Sequence, residues 1–262
     1  MDIGGWPQPS ASASSSTQSA RLRSAALAPA SSPTEGTQLC PCAKIKARTV
    51  TKAIIFDLDS CLSPADEPGQ QLFAPAFDAI ANANQGLLSP SVLQNAFADM
   101  WRLPFDFVAE KYRFTPAMKT AGWEVLTHLE VTTPMKGYGD LDVLKELPVQ
   151  RFLVTSGFRR LQESKIRALG VAPLFTAICI DAIDQPSYRG KQKIFEGILH
   201  DFRLQPDQVL IVGDNHDSEI AIGVRLGIRT VQTIRPGVPR SRAATYHIQT
   251  LHELQPLLTL KG

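Results

Sequence analysis

Two carboxylates stand two positions apart where an apolar run ends: in AIIFDLDSCL, residues 53–62, Phe56 is followed by Asp57, Leu58 and Asp59. Like charges this close oppose each other's ionisation, so the arrangement implies a partner that compensates them. Three further positions supply groups of related chemistry. VQRFLVTSG ends in Thr155, Ser156 and Gly157, small hydroxyls and backbone N–H groups suited to holding an anion ahead of a helix. DQVLIVGDNHDSE supplies Asp214, Asp217 and Glu219, and Lys191 stands at the start of a helical stretch before it. Clustered carboxylates in oxygen-rich surroundings suit a hard divalent cation, most simply Mg2+, and a lysine beside a hydroxyl turn suits a phosphate. Taken singly, each has a plainer reading: an aspartate commonly caps a helix or forms a turn, and a lysine is commonly solvated. Their agreement in order and in chemistry is what points to a site.

The elements that must position these groups are legible in the same runs. KAIIFDLD, VQRFLVTSG, LFTAICID, DQVLIVGD and IRTVQTI read as short buried strands. RRLQESKIRALG and GKQKIFEGILHDF have helical spacing, with Gly170 where a C-terminal cap belongs. This alternation predicts an α/β fold, a three-layer Rossmann-like parallel sheet with helices on both faces. Ligands of such sheets bind at the carboxyl ends of the strands, where the candidate groups fall. One interval departs from the pattern, since roughly 90 residues separate the first two strands, too many for one crossover. Helices are predicted there over Gln71–Asn84, Ser89–Trp101, Phe105–Lys111 and Thr115–Leu129, the second opening with Ser89 as cap and Pro90 at the first helical position. Residues 65–133 are therefore read as a small inserted helical domain, and residues 50–64 and 134–262 as the core it interrupts.

The 262-residue chain is 44% hydrophobic and 20% charged, which places it among ordinary globular proteins. With a formal net charge of +2 and no long basic run, neither nucleic acid nor a membrane is an expected partner. No apolar segment approaches the roughly 18 residues of a bilayer span. Four cysteines, Cys40, Cys42, Cys61 and Cys179, are too few for a disulfide framework and suit reduced thiols in the cytoplasm. Cys40 and Cys42 lack a second Cys/His pair at zinc-ligand spacing. Residues 1–49 are Ser-, Ala- and Pro-rich, with Asp2 and Glu35 as their only acids. A disordered tail fits that composition, and so does a transit peptide to a plastid or mitochondrion.

Together the four motifs resemble the haloacid dehalogenase (HAD) superfamily. DLDSCL resembles its first motif, DxDx[TV], and LVTSG its second, a Thr or Ser ending a strand. Lys191 in RGKQKIF resembles the third-motif lysine, and VGDNHDSE the acidic fourth motif. The helical insertion sits where the family places its C1-type cap. The resemblance implies a Mg2+-dependent phosphatase acting on a small phosphorylated metabolite. Asp57 would be the nucleophile that forms an aspartyl-phosphate, and Asp59 the acid and then the base. Mg2+ would be held by the Asp57 side chain, the Asp59 backbone carbonyl and Asp214, with Asp217 and Glu219 as unranked supporting acids near it. Thr155, Ser156 and Lys191 would bind phosphoryl oxygens.

Cys61 departs from this pattern, standing where the first motif has a hydroxyl. Lys193 lies two residues beyond Lys191, roughly 200° around a helix, so only one can face the site, and Lys191 at the helix entrance is expected to. His216 reads as an exposed loop residue. Trp101, Phe105, Phe107, Tyr112 and Trp123 could line a substrate pocket or belong to the packing of amphipathic helices. A sugar phosphomutase on the same scaffold and a non-catalytic binding module are the alternative functions.

Overall fold

Strand β1, Ala53–Phe56, has no side chain more than 1% exposed. It is covered on both faces, and because side chains alternate across a strand the two faces feed different clusters. Ile54 and Phe56 pack with Leu153, Ile166, Val212 and Leu251, whereas Ala53 and Ile55 pack with Phe152, Phe195, Ile211 and Ile222. Full burial of each larger side chain contributes about 1.5–3 kcal/mol.

The computed structural model describes residues 50–258, which belong to one compact unit, Lys46–Gly262. The expected tail, with Cys40 and Cys42, lies outside the described residues. Helices α1 (Ala74–Ala83), α2 (Pro90–Asp99), α3 (Phe105–Lys111) and α4 (Pro116–Leu126) fill the interval before β2 (Gln150–Gly157). They share a cluster of their own around Ile80, Ala96, Val108 and Met118, which Phe158, Leu161 and Ile183 join from the sheet side. Ser89 and Thr115 cap α2 and α4, their hydroxyls accepting the N–H groups of Val92 and Met118. Three helices are shorter than their periodicity suggested, α2 by ending at Asp99. Pro75 sets the start of α1, leaving a single 3-10 turn at Gln70–Leu72 before it. At the end of α4, the Thr127 hydroxyl donates to the Trp123 and Glu124 carbonyls, competing with the backbone for continuation.

After β2 come α5 (Arg159–Leu169), β3 (Ala177–Ala182), α6 (Lys191–Asp201), β4 (Val209–Gly213), α7 (Ala221–Leu226), β5 (Arg229–Thr233), β6 (Tyr246–Ile248) and α8 (Leu254–Leu257). The six strands form one sheet in the order β3-β2-β1-β4-β5-β6, with every pairing parallel. The fold is the α/β parallel-sheet architecture read from the strand and helix alternation. Gly170 closes α5 in the left-handed region at φ 64°, where an L side chain would be strained. Strand β6 was not among the expected strands: it has three residues, two of them only partly buried, and so shows no alternation to read. Register is what assembles the site. Phe56 lies level with Leu153 on one side and Val212 on the other, so the residues after all three emerge at the same sheet edge. Among the described residues, no helix is long and apolar enough to cross a membrane.

Helix α7 meets β5 through Gly223, where an added Cβ would lie 2.1 Å from Thr230 Cγ2 and 3.4 Å from Ile211 Cδ1. Gly223→Ala is expected to lower stability by about 2 kcal/mol, because a packed core has no room to give. Gly197→Ala in α6, where a Cβ meets nothing within 4 Å, should instead raise it by about 0.5 kcal/mol through helix entropy. Urea denaturation of the two variants reads both signs.

Candidate active site

A buried ammonium organises the edge of the sheet. Gly190, at φ 83°, turns the chain into α6, and Lys191 is the first residue of that helix. Its Nζ donates to Asp57 Oδ1 at 2.7 Å and to Glu219 Oε1 at 2.5 Å. The side chains of Lys191, Asp57 and Glu219 are 9%, 8% and 1% exposed, so little water shares these charges. The approach to α6 is braced from β3, where Asp181 accepts the backbone N–H groups of Arg189 and Gly190 and the Ser156 hydroxyl.

Glu219 reaches the cluster through a π-helical turn, His216–Ile220, which follows β4 and begins with Asn215 accepting the Asp217 N–H. Its side chain folds back over Gly213, where a Cβ would stand 2.6 Å from Glu219 Cγ, so only glycine leaves the space. Oxygen atoms of Asp57, Asp214 and Glu219 then lie within 4.8 Å of one another. Three carboxylates face one buried ammonium, with the more exposed Arg102 guanidinium 3.8 Å from Asp214 as the second cation at the cluster. Burial, reinforced by the charge of Glu219, holds the Asp57 carboxyl well above the usual carboxylate range, against the opposing pull of Lys191. For the same two reasons Asp214 is pushed up to about 7. Burial would lower Lys191, but Asp57 and Glu219 outweigh it and keep the ammonium charged beyond the ordinary lysine range. Glu219 Oε2 is buried and has no hydrogen-bond partner. An all-oxygen donor set with surplus negative charge and an orphaned carboxylate oxygen fits a hard divalent cation.

The second carboxylate of the opening pair is held from elsewhere. Asp59 Oδ1 accepts from Lys165 Nζ at 2.7 Å and Oδ2 from Gln162 Nε2 at 3.2 Å, both on α5. The turn between them and the sheet is fixed by Leu58, whose carbonyl accepts the N–H groups of Cys61, Leu62 and Ser63. Ser60 sits in the left-handed region at φ 56°, and Arg235, paired with Asp140 at 2.8 Å, donates twice to the Cys61 carbonyl. The Cys61 side chain is wholly buried with Sγ 3.7 Å from the Val212 carbonyl. Burial, with Asp57 next, pushes its thiol well up, so it stays protonated and braces β1 against β4.

A cavity of about 630 Å3 opens over these groups. Asp57, Asp59, Thr155, Ser156, Lys191, Asp214 and Glu219 all border it. Trp101, Phe105 and Phe107 border it from the helical interval, and Trp101 and Phe105 also pack, with Tyr112 and Trp123, into that interval's own cluster. Of the two supporting acids, Glu219 joins the carboxylate cluster, whereas Asp217 borders the cavity with its side chain 94% exposed. The turn's hydrogen bond to Asn215 uses the Asp217 backbone and leaves its side chain pointing to water. Lys193 faces solvent and pairs with Glu196. His216 is exposed and bonded to the Ser241 hydroxyl.

Sequence reasoning missed Lys165, Gln162, Arg235 and Asp181. For Lys165 a signal was present, since Leu161, Lys165 and Leu169 share one helical stripe and a lysine there needs a buried partner.

The model of the haloacid dehalogenase-like hydrolases matches residues 51–227, more than half the chain, and the chain belongs to that family of hydrolases. It is 29% identical over 136 residues to the pyrimidine 5'-nucleotidase YjjG of Escherichia coli (strain K12). That stretch is 49% of this chain and 58% of the nucleotidase, so the chain spans little more than half the length of this curated relative. The fold resembles the HAD phosphatase of Thermococcus onnurineus, with a TM-score of 0.53 and 20% identity over 79% of this chain and 98% of the other. It also resembles a haloacid dehalogenase-like family protein of Streptococcus pneumoniae, with a TM-score of 0.51 and 16% identity over 79% of this chain and 98% of that one.

Removing the central cation tests the electrostatics. Lys191→Met leaves Asp57 and Glu219 buried without their partner and is expected to cost about 3 kcal/mol near neutral pH. The loss should shrink in acid, because a carboxyl already raised takes up a proton more readily than the unfolded chain does. Denaturant midpoints of the metal-free protein at both pH values check this.

Proposed function

We propose that this hydrolase is a Mg2+-dependent phosphatase that cleaves small phosphomonoesters through an aspartyl-phosphate. The observation that carries the reading is Asp57. It is a carboxylate at the cavity wall, 2.7 Å from a buried ammonium and within a cluster whose negative charge that ammonium does not balance. The nucleotidase likeness supports a phosphorylated small molecule as substrate.

Asp57 attacks phosphorus, and the bond to the leaving oxygen breaks as Asp59 protonates it; Asp59 then takes a proton from the water that hydrolyses the intermediate. Lys191, with the Thr155 hydroxyl, steadies the phosphoryl oxygens, and the Ser156 hydroxyl would join them only by leaving Asp181. Asp57 and Asp214 through their side chains, and Asp59 through its backbone carbonyl, would hold Mg2+, with Glu219 as a further carboxylate. When bound, the cation offsets the negative charge that otherwise keeps an anionic phosphate from Asp57. Residues 65–133 act as a cap, and Trp101, Phe105 and Phe107 present an apolar wall to the leaving group.

Purified protein with MgCl2 should hydrolyse an aryl phosphate, and Asp57→Asn should reduce turnover by at least about a thousandfold. Undiminished turnover in the variant overturns the reading. Metal binding has its own signature in pH. The metal-free folded protein holds a proton on Asp214 up to about pH 7 that the unfolded chain releases near its ordinary value, so its stability falls as pH rises through that window. Mg2+ competes with this proton, and its stabilisation should therefore grow between about pH 5.5 and about pH 8. Thermal melts with Mg2+ or EDTA at both pH values measure it, and a larger effect in acid would refute the assignment of Asp214 to the metal.

A further inference from the structure

Helix α5 buries three polar side chains, Gln162, Ser164 and Lys165, at 4%, 0% and 3% exposed, and the first and last of them border the cavity. Ser164 is accounted for by its bonds to the Leu161 carbonyl and the Val131 N–H. We propose that Lys165 and Gln162 are positioning residues that clamp the Asp59 carboxylate in the bearing it needs for proton transfer, an inference that rests on the phosphatase reading.

Lys165 makes one ion pair among the described residues, to Asp59 Oδ1 at 2.7 Å, with the lysine side chain 4% exposed and that of the aspartate 21%. A buried pair of this kind seldom adds net stability, since desolvation cancels much of the attraction. A leucine at 165, between Leu161 and Leu169 on the same stripe, would serve folding as well. What the lysine adds is a direction for Asp59.

Gln162 supplies the second hold. Its amide faces two acceptors, Asp59 Oδ2 at 3.2 Å and the Ser156 carbonyl at 3.1 Å, so Nε2 must point to them. Its Oε1 is left buried without a partner, a cost accepted for the donor end. Room for the amide comes from Gly157, at φ 145°, where a Cβ would lie 2.7 Å from Gln162 Nε2. Both Asp59 oxygens are thus gripped from α5 while the residue borders the cavity.

The consequence depends on the leaving group. As the Asp57 oxygen bonds to phosphorus, the P–O bond to the leaving group breaks and its electron pair stays on that oxygen, which takes the Asp59 proton. A nitrophenolate leaves readily without it; an alkoxide does not. Lys165→Met should therefore lower kcat/KM at least about 30-fold for an alkyl phosphate such as glycerol phosphate, but only about threefold for p-nitrophenyl phosphate. Lys165→Arg should restore part of the alkyl activity, and Gln162→Leu should act in the same direction, more weakly. In an Asp59→Asn background, Lys165→Met should add no further discrimination. Equal losses on both substrates, with the fold intact by thermal melt, overturn the clamp and leave the phosphatase reading standing. No loss on either substrate does the same. A wild-type protein that hydrolyses neither overturns both, because Asp59 then has no proton transfer to make. Should Lys165→Met fail to fold, Gln162→Leu and Lys165→Arg carry the comparison.

Discussion

Lys191 between Asp57 and Glu219 is the interaction on which the rest of the site depends. A buried ammonium is tolerable only when its charge is met, and buried carboxylates are tolerable on the same condition. The three side chains satisfy each other imperfectly, since Asp214 brings a third carboxylate into the same space. That imbalance gives the site its chemistry. A fully neutral cluster would be a structural network, whereas surplus negative charge on oxygen ligands creates a place for a cation.

Everything around the cluster serves to bring these groups to one edge. A parallel register aligns the ends of β2, β1 and β4, and helix α6 starts where Lys191 can reach inward. Glycine is used where backbones and side chains crowd: Gly213 under Glu219 and Gly157 under Gln162. The turn after β1 is pinned by Arg235, itself buried and paired with Asp140, so the positions of Asp57 and Asp59 depend on a residue far along the chain. Cys61 fits this account without a hydroxyl, because its position calls for a buried contact with β4 and not for a nucleophile.

The pair Asp57 and Asp59 is relieved by separation of partners. Lys191 approaches one carboxylate from α6 and Lys165 the other from α5. Each aspartate is oriented independently, which suits a nucleophile and a proton carrier that act on different atoms of one phosphate ester.

Local sequence determined a good deal of this. Apolar runs marked five of the six strands, Ser89, Thr115 and the prolines after them set helix starts, and Gly170 set a helix end, because periodicity, capping and backbone preference act over a few residues. The order of the acidic and basic groups at strand ends was legible for the same reason. Tertiary structure alone decided that Glu219 turns inward while Asp217 meets water, since that choice depends on a π-helical turn and on the vacant space over Gly213. It alone decided which partner Lys165 meets, for although the stripe of Leu161 and Leu169 marks the lysine for burial, Asp59 lies 106 residues away. Charge pairing across such distances leaves no local periodic trace, and only the closed parallel sheet brings the partners within hydrogen-bond reach.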